Sequence, residues 1–588
     1  MNKVYKFTFV LLSVSLASFI IWLSYRPYLG IDDAYIYFVY AKNIAHGHGF
    51  VYNIGGERVE GFTSMLWVLI CSLFYKLSDH YFRQGLAILN ILTVSFALYR
   101  LVDFVDRRFI RYKGRLISFP SFCLLAVLFV VKGYLDWTIL SLLETGLWSS
   151  FLIVLVVHLL ELCYEPPSRR EPFVFGVLLF FLVLIRPESL LLSIVFMAIR
   201  FALYWNSTRT LGKPVRASLP PLAIFIAAFA GLVLFRLKYF GYPFPNTYYA
   251  KVSSDTIGNI KEGFIYLFKF IFVYPVYIIP IVVLLLSLWT WVKLLFTDRS
   301  RLLIWKEEER AQLAVVLIVG VALLIPMMVG GDHFSLFRIY QPFIPIFWIL
   351  LLNTDFIRGH LVDIQVKRLP GLIGNRLLWL GCALPVLYLM DMPKYFVDPN
   401  KIPYKISLLN DFSFPESYKK VSVELNDFFP FSPKPSIGRI WAGAYAFGYD
   451  GATVDLMGLN DTLMAHASKI KVGLKNHASF NKSAFYKLGP DFVDGNFITE
   501  GEAFGLPENR ADFDEKSFES NVMKGIFRDT AFITMYQPVL ISRLPIKEAF
   551  FTYTRRDYIP FLEQKGFRVR PLERVHPPAY KKEERPIE

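Results

Sequence analysis

The sequence predicts a polytopic α-helical membrane protein that carries one soluble α/β domain at its C-terminal end. The chain has 588 residues, of which 55% are hydrophobic and 17% aromatic, and a mean hydropathy of +0.42. A soluble domain of this size would be less apolar. Long apolar runs continue to about residue 391, whereas residues 392–588 are polar. We therefore expect a membrane domain over 1–391 and a soluble domain over 392–588.

The net charge of +15 comes from basic residues that cluster in short loops between the apolar runs. This distribution is typical of membrane topology and does not indicate nucleic-acid binding. Eleven apolar stretches are candidates for membrane spans, although 172–185 and 338–353 are short for a hydrocarbon core of about 30 Å. The predicted spans are 7–25, 83–103, 115–134, 145–163, 172–185, 188–204, 217–236, 271–296, 312–329, 338–353 and 376–391.

The first apolar run follows Lys3 and Lys6 and lacks a small-residue cleavage site, so a signal anchor is predicted rather than a cleaved signal peptide. Loop charge decides whether a further apolar segment, 62–78, is predicted to cross the membrane. If it crossed the membrane, the basic loop at Arg107 and Arg108 would lie outside, against the positive-inside rule. We therefore predict that 62–78 lies along the outer leaflet, with the N-terminus in the cytoplasm and the C-terminal domain outside.

The polar C-terminal region alternates short β-like runs with loops, as in RIWAGAYAFGYDGATVDLMGLND, which predicts a mixed α/β domain. Its charged, proline-containing tail KKEERPIE is predicted to be disordered. All four cysteines lie in apolar segments, so this domain is predicted to fold without disulfides. The cysteines are Cys71, Cys123, Cys163 and Cys382.

Two adjacent carboxylates, Asp32 and Asp33, follow the first apolar run in GIDDAYIYFVYAKNIAHGHG. A carboxylate near a membrane exit is costly to desolvate, so a function is expected of it. One interpretation is a general base that polarises an acceptor hydroxyl. The alternative is a solvated pair that caps a helix beginning near Ala34, and the two roles can be divided between the residues.

Three further polar clusters fall on the same predicted outer face. Arg186-Pro187-Glu188 interrupts an apolar run, and a buried arginine's planar fork suits a phosphate, although a simple interhelical turn is the alternative. The segment YFGYPFPNTYYAK (239–251) and the turn GGDHFSLFRIYQP (330–342) also carry polar groups, for which interfacial anchoring and helix capping are the alternatives.

Two weaker patterns lie in the first loop. Arg58 and Glu60 can form a polar wall beside the aspartates or a local surface ion pair. His46 and His48 are spaced for chelation, but no further His or Cys pattern accompanies them, so no metal site is predicted.

Taken together, these motifs resemble a known family. DDAYIYFVYAKNIAHGHGFVYNIGGERVEGFTSMLW resembles the first-loop signature of integral-membrane GT-C glycosyltransferases, in the branch of the mycobacterial terminal β-(1→2) arabinofuranosyltransferase. SLLETGL (141–147), IRPESLLL, FGYPFPNTYYAK, GGDHFSLFR and VDLMGLND (454–461) follow in the family's order. The sequence departs from the family at Val39, where relatives commonly carry Arg, and at His333, where they often carry Trp.

The resemblance implies a GT-C-like fold with about eleven transmembrane helices and juxtamembrane helices in the first outer loop. It also implies a polyprenyl-phosphate sugar donor, a glycan or glycolipid acceptor outside the bacterial cytoplasmic membrane, and no cofactor or metal. Asp32 would be the catalytic residue, with Asp33 second. The donor phosphate would meet Arg186, Lys251 and Arg338. The sugar or acceptor would meet Arg58, Glu60, Glu144, Glu188, Asn246, Tyr248, Tyr249, Asp332, His333, Asn460 and Asp461.

Other functions remain open on the sequence. A glycan polymerase or ligase, or a protein glycosyltransferase, would share this machinery. A lipid-linked sugar flippase would need polar residues through the bilayer midplane or inverted repeats, and neither is evident in the sequence. A membrane receptor would leave the paired carboxylates and the Arg-Pro-Glu break without a role.

Overall fold

The computed structural model describes most of the chain, and the chain divides into two compact units. The described residues are 2–25, 28–109, 117–130, 132–297, 306–352, 404–469, 471, 479–499, 522–543 and 548–572. The first unit comprises Met1–Phe50, Phe62–Pro245 and Asp255–Phe414. The second unit comprises Val51–Gly61, Asn246–Ser254 and Pro415–Glu588. Two short segments that the sequence assigns to the membrane domain therefore fold with the soluble domain.

The first unit is built of helices. The helices of its described part are Asn2–Tyr25, Asp32–Ala45, Met65–Leu77, Phe82–Phe104, Phe119–Val130, Thr145–Tyr164, Glu171–Ile185, Ser189–Thr208, Gly212–Tyr239, Thr256–Val273, Ile278–Thr297, Glu307–Met328, Ile344–Leu352 and the start of Tyr404–Phe428. π-helical turns occupy Val105–Phe109 and Asp136–Leu140, and short 3₁₀ turns lie at Pro275–Tyr277, Ser335–Phe337 and Gln341–Phe343.

Eight helices in the described part of the chain are long and apolar enough to cross a membrane, which confirms a multi-pass membrane protein. They are Lys3–Leu23, Phe82–Arg108, Thr145–Tyr164, Ser189–Thr208, Gly212–Tyr239, Pro275–Lys293, Glu307–Met328 and Ser335–Leu352. The predicted spans 115–134 and 172–185 correspond to shorter apolar helices, Phe119–Phe129 and Glu171–Ile185. The predicted span 376–391 lies outside the described residues.

The segment predicted to lie along the membrane forms the helix Met65–Leu77, with Ser64 as its N-cap. Ser64 accepts a hydrogen bond from the backbone N–H of Trp67, which satisfies one of the free donors at the helix start. The 13 residues of this helix reach about 20 Å at 1.5 Å per residue. That length is short of the ~30 Å hydrocarbon core.

The second unit is organised around a six-stranded mixed sheet, in agreement with the predicted α/β domain. The strands are β1 (Ile437–Arg439), β2 (Thr453–Asp455), β3 (Phe492–Thr499), β4 (Tyr536–Ser542), β5 (Glu548–Arg555) and β6 (Arg568–Pro571), in the order β2-β1-β3-β5-β4-β6. β1 pairs in parallel with β2 and β3, and the other pairings are antiparallel. The register of β3 shifts between Val493 and Asn496, next to Gly495, whose φ of +146° favours glycine.

Helices cover both faces of this sheet because its strands bury alternate side chains on opposite sides. In β5, Phe550 packs with Leu425 and Phe428 of the helix Tyr404–Phe428. Tyr553 packs on the other core, with Phe485 of the helix Lys482–Leu488. The remaining described helices of this unit are Asn246–Lys251, Gly443–Gly448, Thr462–His466, Thr530–Met535 and Ile559–Gln564.

Candidate functional site

The aspartate pair opens the helix Asp32–Ala45 in the first unit. The backbone N–H groups of Gly30 and Ile31 donate to the carbonyls of Leu140 and Ser141, which fixes the chain just before the helix. The N-cap is Ile31, so neither aspartate caps this helix. Both lie in its first turn, near the positive end of the helix dipole. The helix therefore begins two residues before Ala34, and its N-cap residue is neither aspartate.

Asp33 is held by an arginine from a distant part of the chain. Its Oδ2 lies 3.3 Å from Nη1 of Arg338, whose Nε and Nη2 are each 2.7 Å from Oδ2 of Asp332. Asp32 is 6% exposed and therefore almost wholly buried. Asp33 of the first loop and the GGDHFSLFR turn thus meet in one place.

The turn that carries Arg338 has an unusual backbone. Gly330 and Gly331 have φ near +80°, and Leu336 and Phe337 have φ of 58° and 53°. Left-handed conformations cost a non-glycine residue of order 1 kcal/mol each. Such strain persists where the surroundings fix it. In this backbone conformation Arg338 contacts Asp33 and Asp332.

A second arginine cluster forms at the Arg-Pro-Glu break. The helix Glu171–Ile185 ends before Pro187, and Arg186 is extended with φ −150° and ψ 143°. Nη1 of Arg186 donates to Oε1 of Glu144 at 2.6 Å, and its Nη2 and Nε donate to Glu188 at 2.7 and 3.1 Å. Its guanidinium also lies over the ring of Trp148, 4.9 Å from the centroid.

Glu144 connects this second cluster to the first loop. Thr63 Oγ1 lies 3.5 Å from Glu144 Oε1 and 2.9 Å from the hydroxyl of Tyr37 in the helix Asp32–Ala45. Glu144 is 2% exposed, and its Oε2 has no hydrogen-bond partner among the described residues. A buried carboxylate oxygen without a partner is costly, so this oxygen is a candidate acceptor for a substrate hydroxyl.

The two arginine clusters are close enough to interact electrostatically, since Arg186 and Glu144 both act on Arg338. Burial would raise the pKa of Glu188, but Arg186 outweighs it and holds that pKa below its ordinary value. Among the described residues, four carboxylates pair with the two guanidiniums of these clusters. They are Asp33, Glu144, Glu188 and Asp332, with Arg186 and Arg338.

Sequence reasoning missed one further acid, Asp411. It lies in the helix Tyr404–Phe428 and accepts a hydrogen bond of 2.7 Å from Ser335, in the turn before Arg338. Burial raises the pKa of Asp411 to about 6, while His333 and Arg338 act in the opposite direction. His333 itself lies beside Asp332, with Nδ1 3.2 Å from Oδ1. No motif surrounds Asp411 in the sequence, so no local signal marks it.

The remaining candidate residues belong to the second unit. Asn246 joins two of its segments: its Nδ2 donates to the carbonyls of Gly458 and Leu459 at 2.9 Å and of Asp461 at 3.2 Å. Its backbone N–H donates to the carbonyl of Glu60 at 2.9 Å. The amide therefore fixes the VDLMGLND turn against the segment Asn246–Ser254.

Other polar groups of this turn satisfy one another. Asp455 accepts from the backbone N–H groups of Met457 and Asn460 and from Nδ2 of Asn460, each at 2.8–2.9 Å. Asp461 is the N-cap of the helix Thr462–His466 and accepts from the N–H of Met464 at 2.7 Å. Burial raises the pKa of both carboxyls to about 6.

The other residues predicted to bind the sugar or acceptor, from the first loop and from the tyrosine-containing segment, also lie in the second unit. Glu60 is 2% exposed and Arg58 is exposed. Tyr248 and Tyr249 lie in the helix Asn246–Lys251 together with Lys251, and the ring of Tyr249 is 4.2 Å from that of His466. The sequence singled out Arg58 and Glu60, whereas Glu57 is the residue whose carboxylate receives the N–H and hydroxyl of Thr462.

The histidine pair of the first loop is exposed, and Nδ1 of His46 lies 2.8 Å from the carbonyl of Lys42. Across the residues that the structure describes, no group of three or more His, Cys, Asp or Glu side chains is arranged to hold a metal ion.

Comparisons with known proteins find structural neighbours alone. No protein-family model matches the sequence, and no curated protein sequence matches it. An oligosaccharyltransferase of Archaeoglobus fulgidus, solved with Zn and sulfate, aligns with 10% identity and a TM-score of 0.47 over 93% of this chain and 73% of its own. ArnT of Cupriavidus metallidurans, bound to undecaprenyl phosphate, aligns with 11% identity and a TM-score of 0.46 over 92% and 97%.

The archaeal oligosaccharyltransferase AglB from Archaeoglobus fulgidus, in complex with an inhibitory peptide and a dolichol-phosphate, gives 11% identity, a TM-score of 0.47 and coverage of 93% and 74%. None of these TM-scores reaches 0.5. The function proposed below therefore rests on the residues of this chain.

Proposed function

We propose that this chain is a glycosyltransferase that moves a sugar from a polyprenyl-phosphate donor to a glycan or glycolipid acceptor. The observation that carries the proposal is the meeting of residues from four distant segments in one polar cluster of the first unit. Asp33, Glu144, Arg186, Asp332 and Arg338 are bound to one another in two ion-pair groups that interact. The ordered motif resemblance described above supports the same function.

Asp32 is proposed as the catalytic residue, either as the base for the acceptor hydroxyl or as the group that stabilises positive charge on the sugar. In a water-poor site a carboxylate interacts with developing charge more strongly than it does in water. The near-complete burial of Asp32 fits that requirement. Asp33 is paired with Arg338, which fits a supporting role.

The charge balance of the cluster suits glycosyl transfer. Glycosidic bond cleavage passes through an oxocarbenium-like state, in which the sugar carries positive charge. An excess of carboxylates over guanidiniums stabilises such a state by Coulombic attraction. Glu144, Glu188, Asp332 and His333 are proposed to hold the donor sugar in this environment.

The arginines retain donors for the departing phosphate. A guanidinium has five N–H donors, and the described contacts of Arg186 and of Arg338 each engage three nitrogens. The remaining N–H groups are proposed to meet the phosphate, and a phosphate-binding role for Lys251 stays a prediction from the motif resemblance. The departing polyprenyl monophosphate carries a charge of about −1.5 to −2, and we propose that these cations stabilise it without a metal or cofactor.

The second unit is proposed to receive the acceptor. Arg58, Glu60, Asn246, Tyr248, Tyr249, Asn460 and Asp461 are the proposed acceptor-binding residues there. The proposed setting is the bacterial cytoplasmic membrane, with the N-terminus inside and the second unit outside.

The test is donor turnover by the full-length protein in detergent or liposomes. Synthetic polyprenyl-phosphate pentoses and hexoses with a radiolabelled sugar are supplied with envelope glycan fragments. We expect release of polyprenyl phosphate and transfer of label to a glycan, and loss of both on chelation would contradict metal independence. An unchanged envelope glycan profile in a deletion strain, with no turnover of any donor, would overturn the proposal.

A further inference from the structure

The second unit contains a cavity of about 270 Å³, formed by the first-loop segment Val51–Gly61 and the turn that follows β2. Polar side chains line it, among them Tyr52, Asn53, Glu57, Thr453, Asn460 and Asp461, together with valine and leucine side chains. Pockets for drug-sized ligands begin at about 300 Å³. The cavity is therefore the size for one small ring rather than for a large ligand.

The walls of this cavity are fixed by hydrogen bonds within the unit. Asn53 donates to the carbonyl of Thr453 and accepts from its N–H, both at 2.9 Å. Glu57 accepts from the N–H of Thr462 at 2.9 Å and also from its hydroxyl. Binding to a site whose walls are already ordered costs little conformational entropy.

One hydroxyl of the lining lacks a partner. Thr453 is 1% exposed, and its Oγ1 makes no hydrogen bond with any residue that the structure describes. A buried hydroxyl in this state is costly unless a ligand supplies the missing bond. The carboxylates of Glu57 and Asp461 also keep acceptor positions, because a carboxylate has about four lone-pair sites.

The charge of the lining selects the ligand class. Among the described residues, no lysine or arginine lines the cavity, while Glu57 and Asp461 do. An anionic ligand such as a phosphate is therefore disfavoured. A ligand rich in hydroxyl donors with apolar C–H faces matches both the acceptors and the aliphatic part of the lining, and a sugar ring has this chemistry.

We propose that this cavity binds one neutral sugar residue of the acceptor glycan. That the sugar belongs to an acceptor rests on the function proposed above, whereas binding of a sugar does not. The cavity thereby positions the acceptor chain through a unit that carries none of the residues of the ion-pair cluster.

The test uses the full-length protein in detergent and the methyl glycosides of a pentofuranose and a hexopyranose. Saturation-transfer NMR measures their binding. Thr453→Val removes the hydroxyl and keeps the shape, so we expect affinity to fall about fivefold, as for one lost hydrogen bond. The apparent Tm should stay unchanged or rise, because an unpartnered buried polar group is removed.

Thr554→Val is the matched control. Thr554 is fully buried in β5, its Oγ1 also lacks a partner among the described residues, and it does not line the cavity. This variant should keep the same affinity for the glycosides. Absence of saturation transfer to both glycosides, or an equal loss in both variants, would overturn the proposal.

Two further outcomes are decisive. Calcium binding that Glu57→Gln abolishes, with no glycoside binding, would make this a cation site instead. In donor turnover assays, Thr453→Val should raise the KM for the acceptor. If donors are turned over and that KM does not change, the sugar site is wrong while the proposed function stands. If glycosides bind and no donor is turned over, the sugar site stands and the proposed function is wrong.

Discussion

Replacing Arg186 by methionine tests the second ion-pair cluster most sharply. The substitution removes three charge-assisted hydrogen bonds, to Glu144 and Glu188, and the contact with Trp148. It leaves two carboxylates unpaired, with side-chain exposures of 3% and 18%. Breaking a buried ion pair costs about 3–5 kcal/mol, mostly from the stranded charge. Set against a typical net stability of about 5–15 kcal/mol, this is a large loss.

The double variant Arg186→Met/Glu188→Gln removes one of the two stranded charges. We therefore expect it to recover about half of the loss, roughly 2 kcal/mol. Equilibrium unfolding of the purified protein in mixed micelles measures both values. Donor turnover per folded molecule should fall by about 100-fold or more in either variant, since the proposed phosphate contact is absent in both.

Arg200→Met is the matched control. Arg200 is 1% exposed and pairs with Glu171 through Nε at 2.8 Å and Nη2 at 2.5 Å, away from the motifs of the candidate site. It should lose about 3–5 kcal/mol of stability while turnover per folded molecule stays the same. A loss below about 1 kcal/mol for Arg186→Met, or an equal loss of turnover in the control, would refute the reasoning.

Three other predictions concern charge, orientation and the soluble unit. The pKa of Asp411 is raised from 3.8 to about 6 in the folded protein. Its buried carboxylate therefore destabilises the fold above about pH 6, and this penalty is absent below about pH 4, where the group is protonated in both the folded and unfolded states. Asp411→Asn should therefore be more stable than the parent at pH 7, by about 3 kcal/mol at most, and should lose that advantage at pH 4; a pH-independent difference would contradict this. A single cysteine at His48 should react with an impermeant thiol reagent added outside, and one at Arg209 should react after permeabilisation alone; the reverse pattern would invert the topology. Asn246→Leu should lower the stability of the second unit by about 2 kcal/mol or more, because buried carbonyls lose their donor. Proteolysis of the second unit measures this loss.

Much of the first unit is predictable because its signals are local. Apolar run length predicts the spans, and Pro187 predicts the break that presents Arg186 and Glu188. The loop charges predict that 62–78 does not cross, and the structure has a helix of 13 residues there. The aspartate pair lies at a helix start, as expected, and the helix begins two residues before the expected position near Ala34.

The assignment of the candidate residues to two separate units was not predictable from the sequence. Nothing in the composition of Val51–Gly61 or Asn246–Ser254 shows that they fold with a domain whose main part begins at Pro415. Their place is fixed by contacts between residues about 200 to 400 positions apart, such as Asn53 with Thr453. Asp411 was missed for the same reason, because its burial beside Ser335 depends on tertiary packing alone.

The central claim is that Asp32 carries out the chemistry while Asp33 supports it. The most direct measurement is turnover of a polyprenyl-phosphate sugar by Asp32→Asn and Asp33→Asn in full-length protein of equal folded content. We expect Asp32→Asn to lower the rate by about 100-fold or more, the usual range for a lost acid–base group, and Asp33→Asn to lower it less. Full activity in Asp32→Asn would contradict the account.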